Sequence, residues 1–263
     1  MMKKLLFILF AGLLTLTACE DEPKSDESAV ETITVNGVSF NMVKVKGGSL
    51  TMCMELPLTP TVVLYQDSTL DVTLADYSIG QTEVTQALWL AVMGNNPSFF
   101  SSGEIFMVEK GREYEDDLNR PVEWVSWDDC QEFIEKLNEL TGRHFRIPTE
   151  AEWEFAARSG NKTHGYPYAG SENLSEVAWC SENTDNMTHP VGQRKPNELS
   201  LYDMSGNVRE WCLDYVSFSQ PDGTRYRCRI TRGGSYCYNC VVWYRDRASQ
   251  NVKCSDLGLR LAE

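Results

Sequence analysis

The region after Gly160 has no long stretch of helical or strand periodicity, and this constrains the fold more than any other feature of the sequence. From there to the C-terminus the chain consists of turns, aromatic residues and short strand-like runs. With few regular elements, aromatic packing, disulfides or metal ions must offset the entropy lost on ordering. No linker interrupts residues 31–261, so we expect one domain with extensive irregular structure.

Regular structure is predicted before that point. Asn36-Gly37 joins two β-rich runs, which is the strongest short signal for a hairpin. Helices are predicted to start at Thr85, Ser126 and Thr149, where side-chain oxygens can cap the first turn. They are expected to end at about Gly94, Gly142 and Gly160. Cys130 falls on the apolar face of the second helix, so we expect it in the core.

The N-terminus is typical of an exported lipoprotein. Two lysines precede an apolar run, residues 5–14, which is too short to span a bilayer as a stable helix. Leu-Thr-Ala-Cys follows and resembles a bacterial lipobox, which predicts lipid attachment at Cys19; an ordinary signal peptide with a chance cysteine is the alternative. We predict a lipoprotein signal peptide over 1–18, an acidic tether over 19–30 and a folded domain over 31–263.

Charge and compartment limit the partners. The chain has 24 Lys+Arg against 38 Asp+Glu, a formal charge of −14, which excludes a nucleic-acid partner because that surface must be basic. Export predicts a bacterial cell-envelope location, with an outer-membrane lipid anchor as the sole membrane contact and the domain on the periplasmic or cell-surface side. Disulfides persist there. Five cysteines are candidates to pair, with open connectivity: Cys212, Cys228, Cys237, Cys240 and Cys254.

Seven short strings carry a resemblance to a known family. They are QTEVT (81–85), RPVEWVSW (120–127), RIPTEAEWEFAAR (146–158), HPVG (189–192), LYDMSGNVREW (201–211), RGGS (232–235) and LGLRL (257–261). Their order and spacing resemble the formylglycine-generating enzymes, also called sulfatase-modifying factors. The resemblance implies an α+β fold, the C-type-lectin-like formylglycine-generating-enzyme fold with little regular secondary structure, and it implies bound calcium.

The calcium prediction concerns residues 201–211. By the resemblance, the ligands are the side chains of Asp203 and Glu210 and the backbone carbonyls of Gly206 and Val208. Carboxylates alternating with carbonyls in a tight glycine-containing turn suit a hard cation that takes several oxygen ligands. The alternative is a turn whose acidic side chains are merely solvated.

The resemblance also implies a chemistry, the copper-dependent oxidation of a sulfatase cysteine by O₂. Two thiolates hold Cu(I) in that reaction, and the candidates here are Cys237 and Cys240, with Ser235 beside them. Active members have four residues between these cysteines, whereas this chain has two. Arg209 also stands where active enzymes have tryptophan. Disulfide bonding or a lone thiol is therefore the favoured state of this pair.

The side chains between the framework strings favour binding instead. Tyrosine, tryptophan and asparagine are common in recognition loops, and the candidate ligand-binding residues are Tyr236, Tyr238, Asn239, Trp243, Tyr244 and Arg209. They predict an envelope lipoprotein whose C-terminal loop region binds an unidentified protein or small molecule. The alternatives are a formylglycine-generating oxidase acting on a sulfatase, and a structural component of an envelope complex.

Overall fold

The computed structural model describes residues 30–54, 57–59, 62–63, 69–101, 117–219 and 225–263. Cys19, the signal peptide and nearly all of the tether lie outside these residues. The strands are β1 (Val30–Val35), β2 (Val38–Val45), β3 (Ser49–Cys53), β4 (Pro57–Thr59), β5 (Val62–Val63), β6 (Thr69–Thr73), β7 (Tyr77–Gly80), β8 (Arg209–Ser219), β9 (Arg225–Arg232), β10 (Arg245–Ala248) and β11 (Leu257–Gly258). The helices are α1 (Gln86–Met93), α2 (Trp127–Thr141), α3 (Glu150–Ala157) and α4 (Leu174–Val177).

Of the four sheets in the described residues, the two larger ones organise the domain, and the smaller ones pair β3 with β6 and β4 with β5. One of the larger sheets has the order β1-β2-β7 and is antiparallel; the other has the order β10-β9-β8-β11, with only β11 parallel to its neighbour. The predicted hairpin between β1 and β2 is confirmed, because Asn36 and Gly37 both take positive φ, 48° and 83°, as a tight primed turn requires.

The three predicted helices are also confirmed. The side chains of Thr85, Ser126 and Thr149 each accept a hydrogen bond from the backbone N–H three residues later. Ser126 and Thr149 complete capping boxes with the acidic residue at that position. Left-handed glycines follow α1 and α2, at Gly94 and Gly142. Local capping chemistry therefore sets the helix boundaries.

Two apolar cores pack the helices and sheets together. In the first, the apolar face of α2, including Cys130 as predicted, packs beneath α1, and the Trp89 and Phe133 rings stack with centroids 4.8 Å apart. The second core surrounds α3, where Trp153 is fully buried. None of the described helices is long and apolar enough to cross a membrane.

Buried arginine–carboxylate pairs tie α3 to the second sheet. Glu150 accepts from Arg232 Nε at 3.0 Å and from both Arg245 Nε and Nη2, at 2.6 and 2.9 Å. Glu154, on the same helix, pairs with Arg232 and with Arg158. Since a buried charge is tolerated only when paired and hydrogen-bonded, these contacts fix α3 against β9 and β10.

The hairpin of β8 and β9 is the longest regular element after Gly160, where the sequence predicts only short strand-like runs. Arginine at alternate positions of β9, Arg225, Arg227 and Arg229, puts charge on the face opposite the apolar side chains. The apolar half of the alternation is too sparse there to predict a long strand. This hairpin begins at Arg209 and returns to the RGGS string, so it positions the predicted site.

Candidate functional site

The loop that follows β9 carries the predicted catalytic residues, and two glycines shape it. Gly233 and Gly234 have φ of 96° and 66°. Gly206 donates its N–H to Gly233 O at 2.9 Å, and Tyr236 donates to Asn207 O at 2.9 Å. The loop therefore lies directly against the 201–211 string, and the glycines are required because other residues rarely adopt this conformation.

The structure brings Ser235, Cys237 and Cys240 together in this loop. Ser235 Oγ lies 3.4 Å from Cys237 Sγ, and Cys237 is exposed. Cys240 is buried, and its Sγ donates to the carbonyl oxygens of Ser235 and Tyr238, at 3.4 and 3.1 Å. The outer thiol therefore faces solvent, whereas the inner thiol is turned onto the backbone.

Both thiols are held in the neutral form. Burial raises the pKa of Cys240 to about 12, with a further contribution from nearby Cys180. Burial also raises the pKa of Cys237, and Ser235 opposes this only in part. The thiolate is the metal ligand and the nucleophile, so Cu(I) would have to displace both protons and turn Cys240 Sγ away from the two carbonyls. Copper ligation stays a prediction of the resemblance.

The disulfides expected among the C-terminal cysteines are not formed in the structure. All eight cysteines of the described residues are free thiols. Cys212 is packed in the core around α3, and Cys228 lies on the β8–β9 hairpin. Burial raises the pKa of Cys212 as well. The C-terminal cysteines are therefore distributed between the core and the surface.

Alkylation of the native protein should distinguish the two loop thiols. Cys237 is exposed, so iodoacetamide is expected to modify it slowly at neutral pH, as its raised pKa requires. Cys240 should stay unmodified until the protein is unfolded, like the core thiol of Cys130. Mass spectrometry of tryptic peptides measures both. Fast modification of Cys240 in the folded chain would contradict the buried, neutral thiol.

Tyr238, which lies over buried Arg209, forms the exposed part of the predicted ligand face. The Tyr238 side chain is 49% exposed, and the Arg209 guanidinium lies 5.3 Å from its ring centroid. Arg209 itself is buried, donating to Asp256 through Nε at 2.8 Å and Nη2 at 3.0 Å, and to Asp246 through Nη1 at 3.2 Å. The two aspartates thus neutralise the charge of Arg209, and its guanidinium supports the Tyr238 ring. Asn239 lies beside it, exposed.

A row of aromatic side chains extends this face, and sequence reasoning missed it. Tyr236 is buried and meets Phe100 edge-to-face, with centroids 5.5 Å apart. Phe100 contacts Phe99 at 5.1 Å, and Phe99 stacks on Trp124 at 5.7 Å. The string RPVEWVSW contained Trp124, but its apolar neighbours indicated framework. No sequence signal joined it to the loop far along the chain.

Trp124 is held in a strained backbone conformation at the surface. Its φ is +64° and its side chain is 41% exposed. Its N–H donates to Cys254 O at 3.0 Å, which ties the conformation to the C-terminal region. A bulky residue in the left-handed region is a genuine outlier, and such strain clusters at functional sites. The strain therefore points to a role for the exposed ring.

Glu123 anchors the middle of the row. Its carboxylate is buried and accepts the N–H groups of Phe99 and Phe100, at 3.0 and 2.8 Å. Burial raises its pKa to about 8, although these two hydrogen bonds oppose the shift. Glu123 therefore positions the two phenylalanines from beneath.

Stability should fall as the pH rises because of Glu123. Its folded-state pKa lies above the ordinary 4.5, so between about 4.5 and about 8 the native state holds a proton that the unfolded chain has released. The expected contribution is a loss of up to about 1.4 kcal/mol per pH unit. Urea unfolding at several pH values measures it, and Glu123→Gln should flatten this dependence. The exposed Glu139→Gln is the control, and equal curves for both variants would contradict the assignment.

The last two predicted ligand residues lie apart from the row. Trp243 packs against α3, with the Arg158 guanidinium 5.7 Å from its ring. Tyr244 is half-buried, and its phenol lies near Asp246 and Arg209. Tyr244 thus sits at the margin of the face, whereas Trp243 belongs to a different part of the surface.

The predicted calcium string fits a cation in part. Asp203 is buried; its Oδ2 accepts from Gly192 N at 2.7 Å, and its Oδ1 has no hydrogen-bond partner. Glu210, however, accepts from Arg260 Nη2 at 2.7 Å and from Trp153 Nε1 at 2.6 Å. The oxygens of Glu210 are therefore occupied by side-chain donors, whereas Asp203 has one oxygen, Oδ1, without a partner.

Glu83 is a carboxylate that sequence reasoning did not include at this position. Both of its oxygens are buried without a hydrogen-bond partner. Burial raises its pKa well above the ordinary value, and nearby Asp203 adds to the rise. No cluster of three or more His, Cys, Asp or Glu side chains among the described residues has the geometry of a metal site. A cation bound by Asp203 and Glu83 would therefore need backbone carbonyls to complete its coordination sphere.

Comparison with known proteins decides the family. Residues 27–263 match the sulfatase-modifying factor enzyme 1-like domain. The chain belongs to the formylglycine-generating enzyme family. Its predicted α+β, C-type-lectin-like fold is confirmed, because "Treponema denticola variable protein 1" superimposes with a TM-score of 0.72 at 31% identity, covering 89% of this chain and 98% of that one.

Two relatives show the range of the family. "Chaperone protein LppX" of Paenibacillus barcinonensis is 33% identical over 315 aligned residues, covering 99% of each chain. "Formylglycine-generating enzyme" of Thermomonospora curvata is 31% identical over 204 residues, covering 66% of this chain and 63% of that enzyme. The match therefore spans less than two thirds of the enzyme, whereas it spans nearly all of LppX.

Proposed function

We propose that this chain is a cell-envelope lipoprotein whose family domain binds apolar segments of other polypeptides. The observation that carries the proposal is the aromatic row from Tyr236 to Trp124, which starts in the loop of exposed Tyr238 and ends in an exposed, strained tryptophan. Aromatic rings that are exposed yet held rigidly are the anchors of many interfaces. The short spacing of Cys237 and Cys240, and the direction of the Cys240 thiol toward two backbone carbonyls, favour binding over redox chemistry.

The relative that matches over its whole length supports a polypeptide as the ligand. That protein is named a chaperone, and unfolded polypeptides expose the apolar side chains that an aromatic row can contact. The lipobox at Cys19 and the acidic tether support an outer-membrane anchor on the periplasmic or surface side. The face would then be presented to polypeptides in the envelope.

Binding of a designed peptide pair tests this function. The ligand is a dye-labelled uncharged peptide in which phenylalanine alternates with serine, and its match replaces phenylalanine by alanine. Fluorescence anisotropy should show binding of the aromatic peptide alone. Trp124→Ala and Tyr238→Ala should each weaken it by about tenfold, since an aromatic contact contributes about 1 kcal/mol beyond its buried area.

Leu140→Ala is the matched control, because Leu140 is 51% exposed at the end of α2. It should bind the peptide like the wild type. Equal binding of both peptides, or equal weakening by all three variants, would contradict a specific aromatic face.

The oxidase is the second candidate, and one observation favours it. Ser235 contacts Cys237 in the loop where the resemblance places the chemistry. The raised pKa of both thiols adds a cost, since each must release its proton to hold Cu(I). A Cys-x-Pro-x-Arg peptide distinguishes the two functions, because the oxidase converts its cysteine to formylglycine and a binding module does not.

Calcium should stabilise the domain if Asp203 supplies a ligand, as the family resemblance predicts. With calcium about a hundredfold above its dissociation constant, the gain of about 2.7 kcal/mol corresponds to a rise in Tm of about 5–10 °C. Differential scanning fluorimetry with calcium and then chelator measures it. Asp203→Asn should abolish the rise, whereas exposed Asp128→Asn should keep it; an unchanged Tm in the wild type would refute the site.

A further inference from the structure

The β8–β9 hairpin carries a row of arginines that the aromatic face does not use. Arg225, Arg227 and Arg229 occupy alternate positions of β9, so their side chains share one face of the strand. Arg225 and Arg227 are exposed, and Arg229 is half-buried. On β8, Tyr215 pairs with Arg229 in register, so an aromatic ring lies on the same face.

Aromatic rings hold two of the guanidinium groups in place. Arg227 Cζ lies 4.6 Å from the Tyr215 ring centroid, and Arg229 Cζ lies 3.6 Å from that of Trp127. Arg229 Nη1 also donates to Leu213 O at 2.6 Å. These contacts order the groups without neutralising their charge.

The described residues around this row do not balance its charge. Among the described residues, Arg225, Arg227 and Arg229 form no ion pair with a carboxylate. Asp128 and Asp214 are close enough to influence the Arg229 charge electrostatically, but neither forms an ion pair with it. Asp214 Oδ2 instead accepts a hydrogen bond from Glu150 N at 2.7 Å. The chain as a whole has a formal charge of −14, so this row of arginines is a positively charged patch on an acidic protein. Such a patch attracts an anionic partner.

The outer edge of the same strand is open. β10 pairs only with Arg229 to Arg232 of β9. Among the strands that the structure describes, none pairs with the outer edge of Arg225 to Cys228. Unpaired N–H and C=O groups along an edge are a template on which an extended peptide can add as a further strand.

We propose that this edge binds an extended acidic segment of a partner protein by strand addition. Same-face residues of a strand repeat about every 6.8 Å, so carboxylates at alternate positions of the peptide match the spacing of Arg225 and Arg227. Directly opposite side chains on paired strands lie within reach of each other. The edge lies roughly 25 Å along β8 from Arg209, so it is separate from the aromatic face and independent of the function proposed for it.

Three peptides test the proposal on the full chain. The first is dye-labelled, with glutamate alternating with threonine. The second has the same composition with its glutamates grouped at one end. The third repeats the first but is N-methylated at alternate amides, which removes the donors of one edge. We expect the first alone to bind, and to weaken in high salt because exposed charges are screened.

Matched variants locate the binding. Arg225→Ser/Arg227→Ser should weaken the alternating peptide by about tenfold. Lys44→Ser/Lys136→Ser removes the same charge from exposed positions elsewhere and should leave binding unchanged. Equal binding of the grouped or N-methylated peptide would overturn strand addition, and equal effects of both double variants would overturn the site. If a peptide of residues 20–28 bound more tightly than the alternating glutamate peptide, the edge would be assigned to the chain's own tether, and the proposal of a partner segment would be overturned.

Discussion

Arg260→Met is expected to lower the free energy of unfolding by about 3–5 kcal/mol, because it leaves a buried carboxylate without its partner. Arg260 and Glu210 are both fully buried and are joined through Nη2 to Oε1 at 2.7 Å. The same guanidinium donates to Gly80 O and Tyr202 O, each at 2.9 Å. Its loss therefore removes the link between β7, the 201–211 string and β8.

Arg143→Met is the control for this prediction. Arg143 pairs with Glu31 and Glu263, but all three side chains are partly exposed, and such pairs contribute about 1 kcal/mol or less. Urea unfolding followed by circular dichroism measures both variants. Losses of similar size would show that burial does not determine the contribution of these pairs.

Gly234→Ala is expected to destabilise the domain by about 3 kcal/mol, since overpacking costs about that much where the neighbour cannot yield, and to displace the loop that carries Tyr238. A Cβ at this position would lie 2.0 Å from Asn239 O, a backbone atom that cannot move without the loop. The φ of +66° adds the strain that any side chain suffers there. The variant should therefore also lose binding of the aromatic peptide.

Gly94 provides the matched control, because its φ is +77° and a Cβ there would meet nothing within 4 Å. Gly94→Ala should show the conformational cost alone, about 1 kcal/mol. Thermal unfolding compares the two, and peptide binding follows the loop. Equal losses would mean that the close approach to Asn239 is not what fixes the loop.

Local chemistry made the first half of the fold predictable. Thr85, Ser126 and Thr149 predict the starts of their helices, because their side chains accept a hydrogen bond from the backbone three residues later. Asn36-Gly37 predicts a turn in the same local way. Each signal lies within a few residues of its effect. The β8–β9 hairpin was not predicted, because the arginines at alternate positions of β9 leave too sparse an apolar pattern to indicate a long strand.

Residue type was enough to select Tyr238 and Arg209 as candidates, and the structure places the two in contact. Phe99, Phe100 and Trp124 reach the loop through tertiary packing onto Tyr236, which no spacing encodes. Glu83 lies beside Asp203 although the string around it indicated only framework. The state of Cys240 depended on burial and on which carbonyls its thiol faces, and neither is written in the spacing of the cysteines.

The most direct test of the central claim offers the purified chain a Cys-x-Pro-x-Arg peptide with Cu(I) and O₂, followed by mass spectrometry of the peptide. Since Cys237 and Cys240 are neutral thiols and the loop displays an aromatic face, the peptide should be recovered with its cysteine unchanged. Conversion of that cysteine to formylglycine, lost in Cys237→Ser and Cys240→Ser, would contradict the account and assign the loop to catalysis.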